Sequence, residues 1–305
     1  MKRYRIVVTG GSGYLGVVVV QQLLECGYDV VSIDRVESPL SAQAFDDRLT
    51  IVLNNFFSAG ALQRYLPECS AVIHLAGVSD GRQGRIDPQN TWKINADASK
   101  TLIDSAVEHG VSRFLFASTF GVYGNNYQVA LTEDLPVDPA EPYSASKAEI
   151  EHYLIEKQSN AFNPVILRLA MIYGWSPAMR YDLLVNTLIK NAIVQKRLDI
   201  FGGDQRRPQI HVRDASTYFL KILQMSPQTR NKPIYNIVTE NRSVRELAIL
   251  IWESLDYNVH LNFLPGRSRE NTFWMDNTKT AKEIQIEPIH SVLSAIPEIK
   301  TRLAA

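Results

Sequence analysis

Tyr143 and Lys147 stand four residues apart in the segment YSASK, and this pair could move protons. If residues 143 to 157 form a helix, both side chains lie on one face of it. An ammonium group beside a phenol favours the phenolate, so we expect Lys147 to lower the pKa of Tyr143 from its usual value of about 10. Tyr143 would then act as a general acid or base. The alternative is an ordinary solvent-exposed helix face.

Ser118 and Thr119 end the apolar run RFLFAST, which is typical of a strand covered on both faces. Open α/β sheets bind their ligands at the carboxyl ends of the strands. Hydroxyl groups at this position could therefore contact a reacting substrate, although they could equally cap the turn or helix that follows.

Gly10, Gly13 and Gly16 follow the apolar run RIVV at every third position. Glycine permits a sharp turn from strand to helix, lets the main chain approach a pyrophosphate, and lets the helix pack closely on the sheet. The helix N-terminus adds N–H donors for the phosphates. The spacing is one residue wider than the GxGxxG fingerprint, so an ordinary glycine-rich turn is the alternative.

Asp34 ends the next predicted strand, about 20 residues after the glycines, where a carboxylate can bind the ribose hydroxyls of adenosine. The same negative charge repels a 2′-phosphate, which favours NAD over NADP as the cofactor. The neighbouring Arg35 acts in the opposite direction, since its charge would attract that phosphate.

Short strand-like runs alternate with longer amphipathic segments in the first part of the chain: RIVVTG, DVVSID, LTIVLN, AVIHLAG and RFLFAST. This rhythm predicts an α/β fold with a Rossmann-type doubly wound parallel sheet. After residue 173 the alternation loosens. We therefore expect an NAD-binding domain over 1–173 that carries the catalytic residues. A smaller mixed α/β substrate-binding domain is expected over 174–305, with some segments returning to the first.

The later segment SVRELAILIWESL predicts an amphipathic helix. Ser243 is its expected cap, and Glu246 at the third helical position would complete a capping box.

The composition excludes several classes of protein. Lys plus Arg and Asp plus Glu both number 32, so no net field attracts nucleic acid or an anionic membrane. No stretch approaches the roughly 18 apolar residues of a spanning helix. Cys26 and Cys69 are too few for a disulfide framework, which fits a cytoplasmic location. The histidines lack metal-binding spacings, so we expect no metal.

Several motifs together resemble the extended short-chain dehydrogenase/reductase superfamily, in its NAD-dependent epimerase/dehydratase branch that acts on nucleotide sugars. They are TGGSGYLG, Asp34, HLAG, Asn95, STFGVYG, YSASK and LRLAMIYG. The later segments RRPQIHVRDA, PIYNIVTENRSVRELA and DNTKTAKEI extend the resemblance nearly end to end.

The resemblance implies a role for each motif residue. Tyr143 is the acid/base, Lys147 holds the nicotinamide ribose and lowers the tyrosine pKa, and Thr119 with Ser118 hydrogen-bonds the reacting sugar hydroxyl. Asn95 supports the helix behind the active site, and His74 in HLAG is structural. The implied NAD-binding set is Gly10, Gly13, Tyr14, Leu15, Gly16, Asp34, Arg35, Asn55, Phe56, Leu75, Ala76, Gly77, Asn95, Tyr143 and Lys147.

The sequence departs from the family pattern at several positions. Dehydratases of the branch carry an acid after the Ser/Thr pair, but Phe120 and Gly121 stand here, which disfavours dehydration. Asn55 replaces the adenine-contacting aspartate, and its amide can still pair with adenine. Met171 replaces the usual substrate-contacting asparagine and could instead fill the core.

A substrate diphosphate needs an anion-binding side chain, and arginine can bind it in a bidentate manner. Arg207 lies at the family's phosphate-binding position and is our first choice. The stretch SPAMRYDLLVN also resembles a subgroup that includes GDP-heptose dehydrogenases, and Asn186 closes it. The alternative for each arginine is a solvated surface position. The predicted substrate-binding set is Ser79, Thr119, Met171, Arg180, Asn186, Arg207 and Arg267, with Arg206 as a further candidate.

These features predict a nucleotide-sugar epimerase that works through a ketosugar, with hydride transfer at C4 as is usual in this branch. One alternative is a nucleotide-sugar dehydrogenase or reductase, including a heptose-type enzyme, with net turnover of NAD(H). Another is a non-catalytic dinucleotide sensor. Sensors usually lose the Tyr/Lys pair, which this chain keeps.

The resemblance also implies a homodimer, in which helices near 95–109 and 143–157 form a four-helix bundle with their copies. Both segments carry an apolar stripe, which includes Leu102, Ala106, Ile150 and Leu154. An intramolecular core would need this stripe equally.

Overall fold

The computed structural model describes residues 4–41, 46–79, 81–124, 129–226, 233–266 and 272–303. Its strands are β1 (Arg5–Thr9), β2 (Asp29–Asp34), β3 (Leu49–Leu53), β4 (Cys69–His74), β5 (Arg113–Thr119), β6 (Ala130–Leu131), β7 (Asn163–Leu169), β8 (Met171–Tyr173), β9 (Arg197–Phe201), β10 (Arg206–His211), β11 (Ile234–Ile237), β12 (Glu240–Ser243), β13 (His260–Leu264) and β14 (Trp274–Met275).

The helices are α1 (Tyr14–Glu25), α2 (Ala59–Tyr65), α3 (Gly81–Ile86), α4 (Pro88–Trp92), α5 (Ala98–Glu108), α6 (Pro142–Lys157), α7 (Leu184–Lys190), α8 (Val212–Gln224), α9 (Val244–Ser254), α10 (Thr278–Ile284) and α11 (Val292–Leu303). Shorter turns of π-helix lie at Lys93–Asp97 and Asn191–Gln195, and a 3₁₀ turn lies at Phe120–Tyr123.

Seven parallel strands form the main sheet, in the order β11-β7-β5-β4-β1-β2-β3. The chain starts in the middle at β1, winds outward to β3, and then crosses back to β4. One buried core lies under α1 and α8, and a second lies under α5 and α6 on the other face. The predicted Rossmann-type doubly wound sheet is confirmed. Its switch point between β1 and β4 is where such folds bind ligands.

A third core lies outside this sheet, between α7, α9 and α11. Short sheets of β12-β10-β8 and β13-β9 accompany it. Two later segments return to the first part of the chain: β11 pairs with β7, and β14 pairs with β6. The division into domains at residue 173 stays a prediction.

Helix α9 begins with the predicted capping box. The Ser243 hydroxyl accepts the Glu246 N–H at 3.1 Å, and the Glu246 carboxylate accepts the Ser243 N–H at 2.8 Å. These reciprocal bonds satisfy two amides that a helix start otherwise leaves unpaired.

The apolar stripe of α5 and α6 faces the interior of its own chain. Leu102, Ala106, Ile150 and Leu154 are all fully buried in the core beneath these helices. The outward faces carry ion pairs instead, such as Lys100 with Glu149 at 2.5 Å and Lys157 with Asp104 at 2.6 Å. Of the two roles that periodicity left open, this stripe therefore serves the intramolecular core.

Within the described ranges, no helix combines the length and the apolarity needed to cross a membrane. The same ranges contain no cluster of three or more His, Cys, Asp or Glu side chains placed to hold a metal ion.

Candidate active site

A cleft of about 1050 Å³ opens at the switch point between β1 and β4. It brings together most of the predicted site residues. Those that line it are Gly10, Gly13, Tyr14, Leu15, Gly16, Asp34, Arg35, Asn55, Phe56, Leu75, Ala76, Gly77, Ser79, Ser118, Thr119, Tyr143, Lys147, Met171 and Arg180.

The glycine-rich loop forms one wall of the cleft, between the end of β1 and the start of α1. Gly10 has φ +74°, and a Cβ there would lie 2.6 Å from the Ala76 nitrogen. A Cβ on Gly16 would lie 2.0 Å from the Gly10 carbonyl oxygen. Among the described residues no side chain caps α1 at Gly13, so its first N–H groups remain available to an anion. The wider glycine spacing thus still gives the close backbone approach and the open helix start that a phosphate-binding loop needs.

Asp34 lies beside this cradle at the carboxyl end of β2. Its carboxylate accepts the Ser12 N–H at 3.0 Å and the Arg35 N–H at 2.8 Å. These bonds hold the carboxylate at the cleft wall, where it can accept the ribose hydroxyls of a dinucleotide. The loop and this acid fit NAD, and Arg35 also lines the cleft.

Thr119 and Tyr143 meet on the opposite wall, where β5 ends and α6 begins. The Thr119 hydroxyl oxygen accepts the Gly121 N–H at 3.1 Å, which caps the 3₁₀ turn. Thr119 also acts on the Tyr143 hydroxyl, whose pKa it lowers. Thr119 therefore caps the turn, and its contact with a substrate stays a prediction.

Lys147 lies one helical turn beyond Tyr143 and is almost completely buried. Its Nζ donates to the Ala117 carbonyl at 3.0 Å and lies 4.6 Å from the centre of the Phe116 ring. Burial lowers the pKa of Lys147 to about 8, against the opposing charge of Glu151.

The expectation that Lys147 lowers the pKa of Tyr143 is wrong for the protein without its cofactor. Burial raises the pKa of Tyr143 to about 12, and the lesser opposing effects come from Thr119 and from the charge of Arg180. The physical reason is that desolvation of the phenolate outweighs these favourable contacts. Tyr143 is therefore a protonated acid in the free protein.

Ser118 differs from its prediction, because its hydroxyl points into the core. It donates to the Glu151 carboxylate at 2.5 Å, and Arg168 Nη2 donates to the same carboxylate at 2.7 Å. Sequence reasoning missed Glu151 and Arg168. The available signal was that Glu151 lies four residues after Lys147, on the same face of α6 as the YSASK pair.

Asn95 supports the site from behind and is not among the described residues that line the cleft. Its side chain accepts the Val78 N–H at 2.7 Å and donates to the Ser146 hydroxyl at 3.3 Å. His74 is buried between the hydroxyls of Thr9 and Ser99, at 2.6 and 2.8 Å. Burial, with a smaller effect of the Lys147 charge, lowers the pKa of His74 well below its usual range, in keeping with a structural role.

The predicted substrate-binding residues divide into two groups. Ser79, Met171 and Arg180 line the cleft, and Arg180 Nη1 donates to the Ser79 hydroxyl at 2.9 Å. Met171 is thus a cleft residue and not a core filler.

Arg207 and Asn186 lie outside the described lining of the cleft. The Arg207 guanidinium lies 5.8 Å from the centre of the Phe273 ring. Asn186 is buried. Its amide oxygen accepts the Gly174 N–H at 3.0 Å, and its amide nitrogen donates to the Tyr14 hydroxyl at 3.1 Å. Arg267 falls outside the described residues.

We expect the free energy of unfolding to rise with pH in the alkaline range because of Lys147. Its pKa is about 8 in the folded chain and about 10.4 when unfolded, so between these values the unfolded state binds more protons. Stability should therefore rise with pH, by roughly 3 kcal/mol from Lys147 alone. Urea unfolding of wild type and Lys147→Met from pH 7.5 to 10.5 measures this rise. The same dependence of the free energy of unfolding on pH in both proteins would contradict it.

The fold and the cleft together define an α/β protein that binds a dinucleotide across the switch point of its sheet. Residues 6–238 match the model of the NAD dependent epimerase/dehydratase family. The chain belongs to this family, and NAD is its cofactor. The resemblance to the extended short-chain dehydrogenase/reductase superfamily is thereby confirmed.

Similar proteins cover most of the chain. A UDP-glucose 4-epimerase of Corynebacterium glutamicum is 26% identical over 317 residues, which cover 96% of this chain and 94% of that protein. A UDP-glucose 4-epimerase of Azospirillum brasilense is 31% identical over 240 residues, covering 72% and 69%.

Solved structures show the same fold. The UDP-glucose 4-epimerase of Thermotoga maritima, solved with UDP-glucose, has a TM-score of 0.84 at 25% identity and covers 98% of this chain and 99% of that one. The UDP-glucuronic acid 4-epimerase of Bacillus cereus, solved with UDP-glucuronic acid and NAD, has a TM-score of 0.86 at 24% identity, with coverage of 98% and 99%.

Proposed function

We propose that this protein is an NAD-dependent nucleotide-sugar epimerase that inverts a sugar carbon, C4, through a ketosugar. The observation that carries the proposal is the Thr119, Tyr143 and Lys147 arrangement on the wall of the cleft opposite the glycine-rich loop. Phe120 and Gly121 follow Thr119 where elimination of water would need an acid. The relatives named as 4-epimerases support the same reaction.

The mechanism follows from what each side chain can do. Bound NAD supplies a positively charged nicotinamide ring that accepts a hydride reversibly and whose charge favours the Tyr143 phenolate. Tyr143 takes the proton of the sugar hydroxyl and later returns it. Thr119 holds that hydroxyl against Tyr143. The ketosugar then turns in the cleft and recovers its hydrogen on the other face.

The raised pKa of Tyr143 has a consequence for this mechanism. The phenol stays protonated in the free protein, so the base form must be created within the complex. Arg180 provides a positive charge on the protein side that acts on Tyr143, and Lys147 is held one helical turn away on the Ala117 carbonyl. We therefore expect Tyr143 to act as a base only when NAD and the nucleotide sugar are bound.

Arg180 is the arginine that we propose for the anionic part of the substrate. It lines the cleft, and its charge acts on the Tyr143 hydroxyl. We expect Arg180→Met to raise KM for the nucleotide sugar about tenfold to a hundredfold, as loss of a charge-assisted hydrogen bond of about 1.5–3 kcal/mol would do. Steady-state kinetics measure this. Arg207→Met is the matched control, with little expected change; the reverse result would favour Arg207.

The decisive experiment incubates the protein and NAD with UDP-, dTDP-, GDP- and CDP-sugars, including UDP-glucose and UDP-glucuronic acid. NADH absorbance is followed while sugar products are separated by chromatography. A new isomer without lasting NADH supports epimerisation. Stoichiometric NADH with a ketosugar would make the protein a dehydrogenase. Retained NAD with every sugar unchanged would point to a sensor.

We also propose that the protein works as a cytoplasmic homodimer in which α5 and α6 pair with their copies. The free thiols of Cys26 and Cys69 favour a reducing compartment. Since the buried stripe serves the chain's own core, a dimer would have to use the outward faces. Light scattering at several concentrations tests the dimer.

A further inference from the structure

Three consecutive residues of β5 contact three successive turns of α6. Thr119 acts on the Tyr143 hydroxyl, the Ala117 carbonyl accepts Lys147 Nζ at 3.0 Å, and the Ser118 hydroxyl donates to Glu151 at 2.5 Å. The first two contacts belong to the proposed active site. The third lies directly behind it and has no part in the mechanism above.

The Glu151 carboxylate is held firmly in this position. Both Glu151 and Arg168 are 3% exposed. Arg168 Nε lies 3.1 Å from each carboxylate oxygen, and Nη2 lies 2.7 Å from one of them. Both charges of this pair lie in a region of low dielectric, where the interaction of the nearer one with a neighbouring charge is stronger than in water.

Lys147 lies one helical turn before Glu151, and the two side chains contact adjacent residues of β5, Ala117 and Ser118. On its own helix Lys147 has Tyr143 on one side and Glu151 on the other. From β4 it faces His74, which burial keeps neutral, and from β5 it faces the Phe116 ring. Arg168 on β7 lies beyond Glu151. Glu151 is therefore the negative charge that opposes the cost of burying the Lys147 ammonium.

We propose that Glu151 is a positioning residue whose charge keeps Lys147 an ammonium ion at the working pH. The benefit of that ammonium ion for turnover rests on the proposed function. The effect on Lys147 itself does not, and it can be measured on the isolated protein without cofactor or sugar.

The test is an NMR titration of the full chain carrying ε-¹³C lysine, with the Lys147 signal assigned by its loss in Lys147→Met. Wild type should titrate near pH 8. Glu151→Gln should move the midpoint lower by about one pH unit, because an attractive charge is removed. Loosened packing would act in the opposite direction, since solvation returns the midpoint toward about 10.4.

Two further variants make the result unambiguous. Glu151→Gln with Arg168→Met replaces the ion pair by neutral side chains and leaves neither member of the pair as an unpaired buried charge, so it should fold and should also lower the midpoint. It decides the outcome if the single variant unfolds. Glu149→Gln is the matched control, since Glu149 pairs with Lys100 on the outward face, and should leave the midpoint in place. An unchanged or raised midpoint in folded Glu151 variants overturns the proposal. Absent epimerase activity would overturn only the proposed function.

Discussion

Tyr143→Phe is expected to lower kcat by about a thousandfold while NAD remains bound, as loss of a general acid/base group does. Phenylalanine fills the same space on α6 but has no hydroxyl to exchange a proton with the sugar. The contact with Thr119 is lost at the same time. The measurement is isomer formation under saturating substrate, with bound NAD quantified in the purified protein.

Tyr153→Phe is the matched control for this variant. Tyr153 lies on the same helix, and its hydroxyl donates to the exposed Asp104 carboxylate at 2.7 Å. Removing this hydroxyl should leave kcat within about twofold, since its hydrogen bond lies at the surface and Tyr153 is not among the described residues that line the cleft. Substantial residual turnover in Tyr143→Phe would show that another group moves the proton.

Gly10→Ala is expected to weaken NAD binding by about a hundredfold, which corresponds to ~3 kcal/mol. Gly10 has φ +74°, and the new Cβ would lie 2.6 Å from the Ala76 nitrogen and 2.8 Å from its Cα. Both atoms are backbone, so β1 and β4 would have to move apart at the point where the phosphates bind. Left-handed strain adds about 1–3 kcal/mol to the loss of folding stability.

Gly60→Ala is the control for Gly10→Ala. Gly60 lies in α2, and no atom of the described residues outside its immediate chain neighbours comes within 4 Å of an added Cβ. Alanine favours helix by about 1 kcal/mol over glycine, so stability should hold or rise. Calorimetric NAD titration and thermal unfolding of both variants measure the two effects. Wild-type NAD affinity in Gly10→Ala would exclude the cradle geometry.

Part of this protein could be predicted because the deciding physics is local in sequence. A strand, a glycine at positive φ and a helix start lie within a few residues of each other. The positions of Gly10 and Gly16 therefore predict the glycine-rich loop without knowledge of the rest of the fold. The capping box at Ser243 depends on one turn of helix. Alternating strands and helices led to the parallel sheet, because crossover connections leave few other arrangements.

The directions of single side chains could not be predicted in the same way. Ser118 and Thr119 are adjacent on β5 and must point to opposite faces of the sheet. Thr119 reaches the cleft because α6 brings Tyr143 there, and Ser118 reaches the core because Glu151 and Arg168 meet behind it. The sequence shows two adjacent hydroxyl groups, but it does not show which of them faces the cleft and which faces the core.

By itself, the sequence predicted the glycine-rich loop after β1, the Tyr143 and Lys147 pair on one helix and the type of sheet, since each follows from residue type and short spacing. The family came from the resemblance of its motifs along the whole chain. Only the tertiary structure decided that Arg180 rather than Arg207 lines the cleft, and that the stripe of α5 and α6 faces inward. It also decided that burial raises the pKa of Tyr143. The reason is that the burial of a side chain and the charges near it depend on segments that are far apart in the chain. No local sequence pattern contains this information.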